Sequence, residues 1–392
     1  MRTGVADYSE ALLPYLARTL TLDLYIAGDG PASDAMRRMF EVLDYHSFES
    51  LRRERRYDAV VYQMGASRFH GYVYESLLRY PGITVFHDLG LHHFFITRTL
   101  GQGDTSGYVR EMAYNVPNSG ANLARAAIAG LEPYPYFQIP LFHRVIDASL
   151  SAIVHNEHMA RRVKADRPDA LVTRVPLLCD PQATVKSAAL TEELRRRWRI
   201  PARAFVVAAF GRITPPKRLD VLLRALVSLR TQFPSVFCLL VGEVIAPFDL
   251  GDLFQQLGLS DTMVRLTGHV PQAEYYAAFD LADVAVNLRY PSVGETSAAA
   301  IQLLGRGVPL VVSDVDAFSE FPDSVAIKVP VTSREVDSLV AALSALARQE
   351  DLRRQLGSAA RAYAARGHSP ESAAEIYREH IEATLMKHSG YA

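Results

Sequence analysis

Residues 205–220 read FVVAAFGRITPPKRLD, and the fold turns on them. The six apolar residues from Phe205 to Phe210 suit a strand covered on both faces, as in a parallel sheet. Gly211 ends the run. Arg212 and Lys217 follow, five residues apart, and beyond Pro216 the residues Leu219, Leu222, Leu223 and Leu226 fall on one helical stripe. A buried strand, a loop with two cations and an amphipathic helix form one turn of a doubly wound α/β sheet. Ligands of such sheets bind at the carboxyl ends of the strands. The planar fork of Arg212 and the compact charge of Lys217 suit phosphate oxygens. An ordinary loop with solvated surface cations is the other reading.

The same alternation runs outward in both directions. Strands are expected at 22–27, 59–62, 83–86, 152–155, 236–241, 263–266, 283–288, 310–313 and 325–329, with helical patterns between them. One series ends near residue 175 and a second restarts near 204. The expected division is a first Rossmann-like domain at 1–180, a linker at 181–203 with a charged helix at 191–198, a second domain at 204–369 and a crossover helix at 370–392. The first domain opens almost at a turn, Thr3-Gly4-Val5, so its first strand is expected to be missing.

Composition narrows the classes. The chain has 392 residues, 49% of them hydrophobic, enough for two cores. Lys and Arg number 42 against 43 Asp and Glu, so the basic excess of a nucleic-acid binder is absent. Two arginine runs, Arg52, Arg53, Arg55, Arg56 and Arg195, Arg196, Arg197, Arg199, read as solvated helix faces or as contacts for an anionic partner or a membrane surface. Two cysteines, Cys179 and Cys238, allow no disulfide framework and fit a reducing compartment. No apolar run approaches a membrane span and no signal-like stretch is visible, so a cytoplasmic location is expected. No GxGxxG follows an expected strand, which argues against a dinucleotide enzyme.

A second stretch, residues 288–314, reads LRYPSVGETSAAAIQLLGRGVPLVVSD. A strand ends at Leu288, a Pro/Gly loop follows, and a helix is expected to begin near Thr296. The free N–H groups of such a helix start form an anion site. Gly294 permits close approach of a ligand to the backbone. Glu295 suits sugar hydroxyls, or simply favours its helix N-terminus. Gln302 lies two turns on, on roughly the same face.

Together these stretches resemble the retaining GT-B glycosyltransferases of family 4, the glycosyl transferases group 1. The resemblance covers most of the chain and is more specific in the C-terminal half. It implies an α/β fold of two doubly wound Rossmann-like parallel-sheet domains facing a cleft, with the acceptor on the N-terminal domain and a nucleotide-diphosphate sugar on the C-terminal one. Arg212 and Lys217 match the family's GR-x(4)-K loop, which holds the donor diphosphate. Aligned on GRGVPLVVSD, the family's Glu-x7-Glu pattern falls on Gly294 and Gln302, and neither is Glu. The GETS variant makes the adjacent Glu295 the expected sugar contact, beside Thr296 and Ser297, with Gln302 toward the ribose.

Gly4, Gly211, Gly242 (in Val241-Gly242-Glu243) and Gly268 (in Leu266-Thr267-Gly268-His269) resemble the family's glycines near the donor. His87, at the end of TVFHDL, resembles the histidine that positions the reacting groups; a structural histidine is the alternative. His155-Asn156-Glu157 also resembles the family pattern. Asp88, His92 and His93 are expected on the acceptor side, although the two histidines also suit core packing. The pair has no matching carboxylate spacing, so no metal site is expected.

The resemblance implies transfer with retention from a UDP- or GDP-type sugar to a saccharide, lipid-linked or small-molecule acceptor, as in polysaccharide biosynthesis. No metal or cofactor is expected. Neither nucleic acid nor a transmembrane segment is expected, while peripheral membrane contact remains open. The alternatives are a degenerate GT-B nucleotide-binding or scaffold protein and, lower, a nucleotide-sugar 2-epimerase.

Overall fold

The computed structural model describes residues 4–28, 33–245 and 249–388. The chain divides into two units. Unit 1 comprises Met1–Leu178, Val293–Thr296 and Pro370–Ala392; unit 2 comprises Cys179–Ser292 and Ser297–Ser369. The segment read as a linker carries two helices, Pro181–Thr184 and Ala188–Arg197, within unit 2.

Unit 1 opens with a helix, Gly4–Leu16. Gly4 is therefore the first residue of a helix and does not lie in a turn, a correction to the expected Gly-rich loop; the preceding residues 1–3 lie outside the described residues. Two parallel strands follow, β1 (Asp23–Ile26) and β2 (Glu41–Asp44). The main sheet of the unit consists of β3 (Val61–Met64), β4 (Ile83–Phe86), β5 (Ser151–Val154) and β6 (Val172–Arg174), parallel and in that order. Between β4 and β5 the chain inserts four helices, His92–Arg98, Thr105–Asn115, Gly120–Ile128 and His143–Asp147. Phe94, Phe95 and Tyr108 of these helices, and Phe142 just before the last of them, share one core with Met64, Phe86 and Val154 of the strands.

The helix Pro370–His388 belongs to unit 1 and buries Ala373, Tyr377, His380, Ile381 and Thr384, a stripe at helical spacing. His380 joins it to the sheet: Nε2 lies 2.9 Å from Ser151 Oγ and Nδ1 lies 2.8 Å from Thr173 Oγ1.

Unit 2 contains β7 (Phe205–Phe210), β8 (Val236–Val241), β9 (Val264–Leu266), β10 (Val284–Asn287), β11 (Leu310–Ser313) and β12 (Ala326–Val329). All are parallel, in the order β12-β11-β10-β7-β8-β9. The chain builds outward from β7 to β9, then returns to the other side of β7 with β10. Strand order thus reverses between β7 and β10, the switch point at which open α/β sheets bind ligands. The helix Leu219–Gln232 covers the sheet with Leu219, Leu222, Leu223, Leu226 and Leu229, all buried. Burying five such side chains contributes on the order of 10 kcal/mol before the entropy of ordering is charged against it.

Candidate functional site

In unit 2, β7 ends at Phe210 and the backbone reverses at Gly211, whose φ of +86° lies in the left-handed region that glycine tolerates. The ladder with β8 then resumes beyond the turn: Ile213 N–H donates to Glu243 C=O at 2.8 Å. This resumption fixes Arg212, which is exposed, between two anchored residues. A single 3-10 turn, Pro215–Lys217, leads to Arg218, which holds a φ of +55° at the head of the following helix. The Arg218 guanidinium pairs with Glu335, a carboxylate only 2% exposed, and that pairing steadies a conformation unfavourable to a residue with a Cβ.

The consequence is that Lys217 turns back over the strand end. Its Nζ donates to Phe210 C=O at 2.7 Å and would stand 2.8 Å from a Cβ placed on Gly211. Burial pushes the ammonium down to about 7, with the cation of Arg289 adding to the effect. Lys217 has no carboxylate partner among the described residues. Arg289, just past the end of β10, owes its place here to the pairing of β10 with β7. Sequence reasoning missed it, although a cation directly after a switch-point strand was the available signal. The Tyr275 ring stands edge-on to Phe210, and its hydroxyl would lie 3.7 Å from a Cβ on Gly211.

Gly242 follows β8 with a positive φ of 154°, and a Cβ there would collide with Gly211 C=O. It forms an isolated antiparallel bridge with Gly268, whose φ is +70°. Gly211, Gly242 and Gly268 thus line one edge of the sheet. The helix expected near Thr296 runs from Ala298 to Arg306, and Ser297 is its N-cap. Ser297 Oγ accepts from Ala300 N–H at 3.3 Å and from Asn287 Nδ2 at 2.7 Å, so the end of β10 fixes the helix start. Gln302 faces inward: its Oε1 accepts from Asp180 N–H at 2.8 Å.

In unit 1, the GETS loop is held by the residue after His155. Asn156 Nδ2 donates to Gly294 C=O at 2.7 Å and to Thr296 Oγ1 at 2.8 Å. Its Oδ1 meanwhile caps the helix Glu157–Asp166 through Met159 N–H at 2.7 Å. Gly294, with φ of +86°, abuts the His158 ring, which leaves no room for a side chain there. Glu295 Oε2 accepts from Val293 N–H at 3.1 Å.

His87 follows β4, with its backbone N–H bonded to Met64 C=O at 3.0 Å. Its ring nitrogens face Gln63 Oε1 at 2.7 Å and His155 Nε2 at 3.2 Å. Asp88 Oδ1 turns the chain by accepting from Gly90 N–H at 2.6 Å. His92 is a core residue, 1% exposed, with Nδ1 on Ile139 C=O at 2.6 Å and Nε2 on Tyr108 Oη at 2.8 Å. His93 is exposed beside Tyr136. Both cysteines are buried and free, and burial pushes their thiols up to about 12. Among the described residues no group of three or more His, Cys, Asp and Glu has the arrangement to hold a metal ion, and no helix is long and apolar enough to cross a membrane.

The fold is that of the GT-B glycosyltransferases, and residues 191–363 match the family described as glycosyl transferases group 1. Among individual proteins, the chain is similar to the D-inositol 3-phosphate glycosyltransferase of Nocardia farcinica, at 32% identity over 195 residues. That match takes in 47% of this chain and 42% of the relative, so the likeness spans less than half the relative's length. Among solved structures, sucrose-phosphate synthase of Thermosynechococcus elongatus superposes with a TM-score of 0.66 at 17% identity, covering 97% of this chain and 93% of that one. HepE of Anabaena, in complex with UDP and glucose, gives 0.66 at 16% identity, covering 97% and 96%.

Proposed function

We propose that the protein is a glycosyltransferase that takes a nucleotide-diphosphate sugar and transfers the sugar with retention at its anomeric carbon. The observation that carries this reading is Lys217. An ammonium drawn out of water at the switch point of a parallel sheet, beside Arg289 and without a carboxylate, is unfavourable until an anion arrives. A diphosphate supplies that anion. Arg212, exposed on the same loop, takes a second phosphate oxygen.

As the bond to the sugar breaks, negative charge grows on the departing phosphate. Prepositioned cations and the N–H groups of the helix capped by Ser297 stabilise that charge. Lys217 takes up a proton when the diphosphate binds and serves as a full cation in the reaction. The leaving diphosphate accepts the acceptor's proton, and no metal enters. His87, Glu295 and Thr296 are the residues proposed to serve the sugar, and Asp88 and His93 the acceptor. UDP in the HepE complex favours a uridine donor on this shared fold. The reaction takes place in the cytoplasm, on a saccharide, lipid-linked or small-molecule acceptor.

The test is a thermal-shift panel of UDP, GDP, ADP and TDP with their sugars. One nucleotide raises the melting temperature of the wild type, and Arg212→Ala and Lys217→Met lose most of that rise. A panel without any response, or variants that respond like the wild type, removes the donor site. The scaffold reading is favoured by one observation, that Gly294 and Gln302 stand where the family has two glutamates and Gln302 is spent on Asp180 N–H. Nucleotide binding with neither donor hydrolysis nor transfer decides for it.

A further inference from the structure

His87 sits in a chain of contacts that lies wholly within unit 1 and draws on six separate parts of the sequence. At one end His155 Nδ1 lies 2.9 Å from Val175 C=O. His155 Nε2 faces His87 Nδ1 at 3.2 Å, and His87 Nε2 lies 2.7 Å from the Gln63 amide. Tyr377 on the C-terminal helix adjoins the same amide. Tyr377 Oη lies 2.9 Å from Tyr8 Oη, and the Tyr8 ring returns to stand edge-on to His87 at 4.9 Å between centroids.

The protons of this chain can be counted. A carbonyl only accepts, so His155 Nδ1 carries hydrogen and, in a neutral ring, Nε2 carries a lone pair. A bond to His87 then requires hydrogen on His87 Nδ1, which leaves the lone pair on His87 Nε2. Either end of a glutamine amide fits the 2.7 Å spacing, and the count selects the NH2 end. The Gln63 oxygen is thereby free to accept from Tyr377, and Tyr377 accepts from Tyr8. Each link of the chain then pairs one donor with one acceptor, in a single direction from Tyr8 to Val175.

The opposite amide orientation puts two lone pairs against each other between the rings, or else demands an extra proton. The groups found against His87 among the described residues are Tyr8, Gln63, His70 and His155, none of them an acid that would hold such a proton. Burial pushes both rings below the usual histidine range, His155 to about 4.

We propose that Tyr8, Gln63, His155 and Tyr377 are positioning residues that lock His87 as a neutral Nδ1–H imidazole with both nitrogens engaged. It follows that the His87 ring neither takes nor gives a proton in the reaction, and acts through its placement. The consequence for transfer rests on the proposed function, whereas the state of the rings is read on the protein alone, active or not.

The experiment is long-range 1H–15N NMR of the full chain carrying 15N-histidine, with the signals assigned from His87→Gln and His155→Gln. Both rings are expected as Nδ1–H tautomers that do not titrate between about pH 8 and 5.5. Gln63→Glu replaces the donating NH2 with a carboxylate, and the His87 signals then move to the doubly protonated pattern at pH 7. A wild-type His87 protonated on Nε2 alone, or doubly protonated at pH 7, overturns the lock. So does a folded Gln63→Glu variant whose His87 signals are unchanged. The wild-type spectrum decides by itself if that variant does not fold.

Discussion

Replacing Lys217 with methionine is expected to make the protein more stable while removing its affinity for nucleotide. In the folded chain the ammonium falls from the ordinary 10.5 to about 7. A fall of that size is equivalent to about 5 kcal/mol of preference for the neutral amine over the cation. The unfolded chain therefore binds more protons than the folded one between about pH 7 and 10.5, and wild-type stability rises with pH across that window. Below pH 7 the full cost of the buried cation is present.

Methionine keeps the aliphatic volume and carries no charge. It forfeits the bond to Phe210 C=O, worth about 1 kcal/mol. Relaxation around the ammonium reduces the remainder, so the net gain of Lys217→Met at pH 6 is about 2–4 kcal/mol. It shrinks steadily above pH 7 and disappears near pH 10. Urea denaturation of both proteins at pH 6, 7.5 and 9 measures the difference. A variant that is less stable at pH 6, or a difference that ignores pH, refutes the buried cation and with it the anion-seeking site. Calorimetry of nucleotide binding to the wild type at pH 8, in buffers of different ionisation heat, is expected to show uptake of close to one proton, a signal the variant lacks.

Gly211→Ala forces a side chain into a left-handed backbone and against Lys217 Nζ; it is expected to cost about 1–2 kcal/mol in denaturation and to abolish the nucleotide-induced thermal shift. Asn156→Ala removes both the cap of the helix Glu157–Asp166 and the two bonds to Gly294 and Thr296, a loss of about 2–3 kcal/mol by denaturation. Asn156→Asp keeps the cap and is expected to lose about half of that; equal losses for the two variants would show that the loop bonds contribute nothing. Chelation with EDTA is expected to leave the rate of nucleotide release from the responding donor unchanged, and a rate that collapses and returns with magnesium assigns the leaving-group role to a metal.

The strands covered on both faces were legible because an unbroken apolar run has few other readings: Ile83–Phe86, Phe205–Phe210, Val236–Val241 and Leu310–Ser313 begin and end where hydrophobicity does. β2 and β6 were not. Glu41–Asp44 begins and ends on exposed acids, and Val172–Arg174 has no buried residue and ends on an exposed arginine, so neither leaves a pattern that outweighs a loop. Strand β3 lies two residues beyond its expected start because the apolar run begins at Ala59, ahead of the paired segment, and periodicity alone does not set its register. The loop with Arg212 and Lys217 was readable as a cation-bearing strand end. That Lys217 doubles back onto Phe210 depends on the left-handed turns at Gly211 and Arg218, and that Arg289 joins it depends on strand order, which adjacent residues do not encode.

The docking of the helix Pro370–His388 on β5 and β6 imposes a schedule on biosynthesis. Residues 4–178 leave the ribosome long before the stretch that completes their core, with Ser151, Thr173 and Tyr8 awaiting His380, Thr384 and Tyr377. At synthesis rates of about 5–20 residues per second that interval lasts on the order of 10–40 s. Unit 2 emerges complete within it, apart from the covalent detour through 293–296, and is free to fold first. The nascent amino-terminal half must meanwhile avoid aggregation with one flank of its sheet uncovered.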